Sequence, residues 1–419
     1  MSELPAPLVG SRRSADLLAT SLMFVFVMSA VTLSLMPVVT NELRTQVGLN
    51  DAQIGLLTSI FMGFYGAAGI SSGVGAARWG GRLLGVSCFC FMAGSLVFGL
   101  SSSYAGFLVG RAIQGMGGGM VVATCNPVLA HALPREWLGR AWGITGAGFG
   151  LGSMVALFAM PAIESAAGYR AVFLTTAGLA FVIGAVVLAQ KPVRALPRHA
   201  DLAGSFRVLG RYLGAVLTNR RVIILGLCNA AGLAMGVGTL AWSPSFLQDI
   251  YGASETTSLY VIASLGAAQM IGNPLGVVAA NRWGKSRVMW GGIIAILVTT
   301  VLIGLLPGVP LAAAMVIASA FFGMFYFPVM LAYIPEVVAK PAQVGPATGI
   351  NTMMGFIGSL VAPWIFGLIL DSGGQSKGAY VAGFFMLGAF GLVALGGLAF
   401  FRPRSPGGRD FVLQQPPKI

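Results

Sequence analysis

Twelve apolar stretches of roughly 20 residues, each long enough to cross the ~30 Å hydrocarbon core of a bilayer, run through this chain. They lie near 17–40, 53–75, 83–101, 105–130, 140–162, 171–190, 222–248, 257–280, 288–306, 311–335, 345–370 and 379–401. In lipid an unpaired backbone N–H or C=O is too costly, so stretches of this length must be helices. The expected fold class is an all-α membrane protein with twelve transmembrane helices. Charged residues make up only 9% of the chain, against about 25% in soluble domains, too few to cover a soluble protein of this size. The 60 glycines would weaken helices in water, whereas in lipid small residues let helix backbones approach closely.

A net charge of +13 would suit a nucleic-acid partner if the basic residues formed a patch. They do not. With the N-terminus placed in the cytoplasm, every Lys and Arg falls in a cytoplasmic segment except Arg44, Arg170 and Lys377 on the opposite side and Arg111 within a span. The acidic residues divide evenly between the sides. This asymmetry is the positive-inside rule and puts both termini in the cytoplasm. The basic charge is thus a topology signal, nucleic acid is not an expected partner, and the location predicted is a bacterial inner membrane, crossed many times. Arg12 and Arg13 precede the first stretch, but it is too long for a signal peptide's apolar region and lacks a small-residue cleavage site. Cys88, Cys90, Cys125 and Cys228 all fall within spans and have no metal-like spacing, so free thiols are expected and no metal.

The chain repeats itself. Arg78-Trp79-Gly80 returns as Arg282-Trp283-Gly284, Pro127-Val128 and Pro134 return as Pro328-Val329 and Pro335, and residues 139–156 match 345–362 at eight of eighteen positions. The offset drifts only slightly from 201 to 206, as loops of unequal length would cause. Two similar six-helix halves follow, at 1–190 and 222–401, joined by a basic cytoplasmic linker at 191–221 and followed by a cytoplasmic tail at 402–419. Parallel halves of this kind suggest rocking about a site at their interface near the bilayer midplane. Prolines recur at matching places: Pro37 is expected to end the first helix as Pro244 ends the seventh, and Pro127 to interrupt the fourth as Pro328 interrupts the tenth.

Several motifs resemble the major facilitator superfamily, and the resemblance covers nearly the whole chain. The loop after the second span reads Gly73-Val-Gly-Ala-Ala77-Arg78-Trp-Gly80-Gly-Arg82, similar to that family's Gly-x-x-x-Asp-Arg-x-Gly, with Ala77 at the acidic position. Its second copy reads Asn281-Arg282-Trp-Gly284-Lys285-Ser-Arg287. Arg111-Ala-Ile-Gln114-Gly115-Met-Gly117 matches the family's Arg-x-x-x-Gly-x-Gly, and Gly168-Tyr-Arg170-Ala-Val-Phe173 resembles its entry to the sixth helix. The segment from Gly148 to Ala156 lacks the Gly-Pro and closing glycine pair of the family's proton-driven drug antiporters. The resemblance implies a monomeric secondary transporter that works by rocker-switch alternating access.

Two groups of candidate residues follow. A cytoplasmic gate is expected from Gly73, Arg78, Gly80, Arg82, Glu136 and Arg140 in the first half and Asn281, Arg282, Gly284, Lys285, Arg287 and Glu336 in the second. Ion pairs there would hold the outward-open state, although Ala77 and Asn281 lack the family's usual charge. Arg111 lies well inside a span, where insertion scales price an arginine at about 2.5–3.5 kcal/mol, so it needs a partner. No acid lies at its depth, which leaves backbone carbonyls of a neighbouring helix or an anionic substrate. The other substrate-binding candidates are Tyr65, Gln114, Asn229, Gln269, Asn273, Tyr326 and Asn351, all polar groups within spans. Glu164, Asp249 and Asp371 are expected near the outer surface, so no carboxylate in mid-membrane is available for proton coupling.

The sequence favours a permease for a small organic anion or similar metabolite. Two alternatives stay open: efflux of amphiphilic drug-like compounds, and a membrane sensor on the same fold without turnover. No Gly-x-x-x-x-Gly-Lys-Ser/Thr loop is present, so ATP is not expected to drive the protein directly. No cofactor is expected, and without a nucleophile–base pair at membrane depth an enzyme is not either.

Overall fold

A computed structural model describes residues 11–194, 217–338 and 344–401. The tail, most of the linker and, for their side chains, Gly73, Arg78 and Glu136 lie outside the described residues. The helices are α1 (Arg12–Thr45), α2 (Asp51–Trp79), α3 (Leu83–Leu100), α4 (Tyr104–Ala132), α5 (Arg135–Ala189), the short α6 (Lys191–Arg194), α7 (Arg220–Tyr251), α8 (Glu255–Trp283), α9 (Lys285–Leu305), α10 (Val309–Val337), α11 (Val344–Gly373) and α12 (Lys377–Ala399). Among the described residues ten segments are long and apolar enough to cross a membrane. Large apolar side chains such as Phe89, Phe181 and Leu392 are more than half exposed, as suits helices whose solvent on one face is lipid. Side-chain caps start several helices: Ser11, Ser103, Ser254 and Ser376 each accept a hydrogen bond from a backbone N–H in the first turn of α1, α4, α8 and α12.

The two parts of the chain pack by the same scheme. The contacts α1–α5, α2–α4 and α3–α4 recur as α7–α11, α8–α10 and α9–α10. Glycine makes the tight pairs possible. A Cβ on Gly115 would lie 2.2 Å from the Phe61 carbonyl oxygen in α2, and one on Gly276 would lie 1.8 Å from that of Phe325 in α10. The two parts meet along two seams, α2 against α11 and α5 against α8.

Three details differ from the sequence reading. Pro37 does not end α1, and Pro244 does not end α7; both helices run on, to Thr45 and Tyr251. Within lipid, pairing every other backbone group outweighs the one hydrogen bond each proline removes. Next, α5 holds two of the expected crossings in one unit, broken only at Gly168, whose φ of 75° reverses the chain without a loop. Glu42 of α1 braces the break, its carboxylate accepting the Tyr169 backbone N–H at 2.5 Å.

Candidate functional site

A cavity of about 200 Å³ lies between the two parts. From the first come Leu33 of α1, Met62 and Tyr65 of α2, and Phe149, Ser153 and Leu157 of α5; from the second come residues of α7, α8, α9, α10 and Phe356 of α11. Its walls are mainly hydrocarbon. Among the described residues the lining contains no acidic or basic side chain, and its polar groups are Tyr65, Ser153, Thr239, Gln269, Ser319 and Tyr326. Some of these are committed elsewhere: the Tyr326 hydroxyl donates to the Cys228 carbonyl at 3.0 Å, and Ser319 donates to the Val316 carbonyl at 2.9 Å. Others are free to meet a solute. Thr239 Oγ1 has no partner, and the Tyr65 hydroxyl only accepts a long 3.5 Å bond from Ser29.

Three of the sequence candidates, Tyr65, Gln269 and Tyr326, therefore line the cavity, while the other five do not. Asn229 is spent on Asn351: its amide donates to the Asn351 carbonyl at 2.9 Å and to its side-chain oxygen at 3.1 Å, tying α7 to α11, while the Asn351 amide meets Met330 Sδ at 3.9 Å. Asn273 is exposed on α8. Arg111 and Gln114 sit in the first part's core, both fully buried. Arg111 donates from Nη1 to the Thr32 carbonyl of α1 at 2.7 Å and to Gln114 Oε1 at 2.9 Å, and from Nε to the Leu57 carbonyl of α2 at 3.2 Å. Gln114 in turn donates to Ser95 of α3 at 2.8 Å. Two backbone carbonyls and the Gln114 amide oxygen are thus the partners of this guanidinium, and among the described residues its Nη2 has none and no carboxylate contacts it.

Arg111 nevertheless stands close behind the cavity wall. Its guanidinium lies 4.3 Å above the Phe61 ring, and that ring is 6.0 Å from the ring of the cavity-lining Tyr65. Thr239, Ser153, Phe149 and Phe356 were not singled out from the sequence. Nothing in a run such as Gly236-Val-Gly-Thr239 marks the threonine, and only the row of small residues at Gly232, Gly236 and, on α10, Gly323 signals that these helices leave space between them.

The two ends of the bundle differ. On the end carrying Arg140, the ion pairs stay within one part. Arg140 binds Asp16 of α1 in a fork at 2.9 and 3.0 Å, and Lys285 pairs with Glu336 of α10. Gly80 and Gly284 occupy matching turns with φ of 57° and 89°, and Asn281, Arg282 and Arg287 are exposed. Arg82 ends the 3-10 turn that leads into α3. Among the described residues no ion pair on this end joins the two parts.

The opposite end is held shut across the interface. Arg44 of α1 grips Asp51 of α2 at 2.7 and 3.1 Å and reaches Asp249 of α7 at 3.3 Å. Asp249 also accepts from the Tyr380 hydroxyl at 2.5 Å, and Gln375 donates to Asp51 at 2.7 Å. Most telling, Asp371 at the end of α11 caps α2 of the other part. Its two oxygens accept the backbone N–H groups of Asp51 and Ala52 at 2.9 and 3.0 Å. The carboxylate is held by the first orphan donors of a helix and by the positive end of its dipole.

The profile of the Major Facilitator Superfamily matches residues 18–272 and, again, 253–417. The chain belongs to that superfamily. It is a membrane transporter, and its fold is shared by solved members: a bacterial homologue of the human lysosomal transporter Spinster, in an inward-facing and unoccupied conformation, aligns with a TM-score of 0.74 at 17% identity over 93% of this chain and 97% of that one. The cis,cis-muconate transport protein of Acinetobacter baylyi is 23% identical over 82% of this chain and 84% of its own length. A chloramphenicol efflux pump of Mycobacterium tuberculosis is 23% identical over 83% and 78%. A probable sulfoacetate transporter of Cupriavidus necator is 25% identical over 85% and 86%.

Proposed function

We propose that this superfamily member carries a small organic anion with a largely apolar body, of the muconate kind, by alternating access. The observation that carries the reading is an uncompensated charge beside an acid-free cavity. Arg111 is buried with neutral partners only, and the distances through Phe61 place it within about 10 Å of the Tyr65 ring. At that separation and an effective dielectric constant of 20 a unit positive charge favours an anion by about 1.7 kcal/mol. The hydrocarbon walls suit the body of such a solute, while Tyr65, Thr239 and Gln269 offer hydrogen bonds to its oxygens. Among the described lining residues a cation would find no counter-charge.

On this reading the chain crosses the inner membrane twelve times, with α5 counted as two crossings and α4 as one, and works as a monomer. Both termini lie in the cytoplasm, as the distribution of Lys and Arg favours. The Arg140 end is then cytoplasmic and open, and the Arg44 end is closed. When the carrier turns outward, Glu336 pairs with Arg78, Arg82 or Arg140, and Glu136 with Arg282, Lys285 or Arg287, across the interface. No step makes or breaks a covalent bond.

The test is thermal unfolding of the purified protein with cis,cis-muconate, its uncharged diamide and a cationic amphiphile. A ligand at a hundred times its Kd stabilises the folded state by about 2.7 kcal/mol. The expected result is stabilisation by the dianion, weakened by at least about tenfold in affinity in Arg111→Gln and retained in Arg111→Lys. Stabilisation by the diamide at least as strong, unaffected by Arg111→Gln, would instead support efflux of uncharged amphiphiles, the reading that the mainly hydrocarbon lining favours.

A further inference from the structure

The seam between α2 and α11 carries a second apolar space. A groove of about 460 Å³ opens there, lined by Ile60, Phe64, Met353, Ile357 and Leu360 among others, with no polar side chain among the described residues. Phe64 and Ile357 are 41% and 53% exposed, so on membrane-spanning helices the groove faces lipid. Ile60 to Ala67 lie roughly 14 to 24 Å along α2 from its start, which is mid-membrane depth.

Phe356 is common to this groove and to the central cavity. On the cavity side its ring packs on Tyr65 with centroids 4.8 Å apart. On the α2 side it rests on Gly66, where an added Cβ would come within 2.5 Å of the Phe356 Cβ. The partition between lipid and cavity is therefore one side chain thick. Because Gly66 faces it, no side chain of α2 at that position would fill the gap if the ring turned; Gly63, one turn earlier, packs against Leu360.

We propose that this groove is a lateral entrance by which uncharged apolar solutes dissolved in the bilayer reach the central cavity, with Phe356 as its shutter. The route disfavours charge, since a charged group at this depth is costly and the described lining of the groove offers no side chain to offset that. It is separate from the aqueous route of an anion, and it gives the transporter a second class of cargo: small lipid-soluble molecules without charge.

The experiment uses the full-length protein in liposomes and two photolabels, an uncharged aryl diazirine dissolved in the bilayer and an anionic, water-soluble one. Labelling of Phe149 and Leu240, which line the cavity but not the groove, is read by peptide mass spectrometry. Ile357→Trp fills the groove from the lipid side, and Phe356→Ala removes the shutter, with Phe356→Leu as the substitute should the alanine variant not fold. Cavity labelling by the bilayer probe should fall severalfold in Ile357→Trp and rise severalfold in the Phe356 variant, while the anionic probe labels the unmodified protein and Ile357→Trp alike. Bilayer-probe labelling that is the same in all three proteins overturns the proposal. So does a parallel loss of both probes in Ile357→Trp, because the two would then share one path.

Discussion

Removing the Asp371 carboxylate should loosen the closed end of this transporter by a predictable amount. The residue spans the interface, accepting two backbone N–H groups at the start of α2. Loss of a helix cap costs about 0.5–2 kcal/mol, and a negative charge at a helix N-terminus adds about 0.3–1 kcal/mol. Asp371 is exposed, so solvent screening holds the sum to the lower part of that range, about 1–2 kcal/mol. That is a factor of about 5–30 between the closed and open populations. The readout is a cysteine placed in the cavity, Leu240→Cys, modified in liposomes by a membrane-impermeant maleimide supplied on the Arg44 side. The native cysteines described, Cys88, Cys90, Cys125 and Cys228, are all buried and give a low background. Asp371→Ala should accelerate modification from that side by about the factor above, Asp371→Asn by less, because the amide keeps one acceptor oxygen. An unchanged rate in Asp371→Ala would show that the cap does not hold this end shut.

Other expectations are simpler. Arg44→Gln leaves Asp51, which is 1% exposed, without its ion partner, so it should both raise outward accessibility and lower the thermal midpoint, whereas Lys377→Gln should do neither. Gln269→Leu should weaken solute binding measured by calorimetry, while Asn273→Leu, outside the cavity, should leave it unchanged. Gly276→Val forces a side chain into the Phe325 carbonyl and should cost about 1–3 kcal/mol or abolish folding, read as loss of a monodisperse peak on size exclusion. Asn229→Leu should cost only about 1 kcal/mol, since it removes two hydrogen bonds typically worth about 0.6 kcal/mol each within a membrane.

The helices were legible because hydropathy is a local property that sums along the chain. The duplicated packing was legible too, since Arg78-Trp79-Gly80 and Arg282-Trp283-Gly284 sit at matching turns. What a polar residue within a span faces was not, because that depends on the rotation of its helix against neighbours far away in sequence. Asn229 and Asn351 look like solute ligands in a linear reading and instead bind each other. Thr239 looks like filler and stands unpartnered at the cavity. The contacts between Arg44 and Asp249, and between Asp371 and the start of α2, escaped for the same reason: each joins residues from different parts of the chain. Pro37 misled because the rule that proline ends helices belongs to water, where the freed carbonyl has another partner.

The break at Gly168 also has a mechanical meaning. A link of one residue, pinned to Glu42 by the Tyr169 N–H, leaves the two arms of α5 no slack where they meet. If the carrier works by alternating access, those arms and α1 are expected to move together, with bending at the seams. A carrier built in this way transmits force applied at one end of the membrane to the other with little lost to deformation. Lengthening the link, by inserting two glycines after Gly168, would uncouple the two ends and let the protein leak rather than carry.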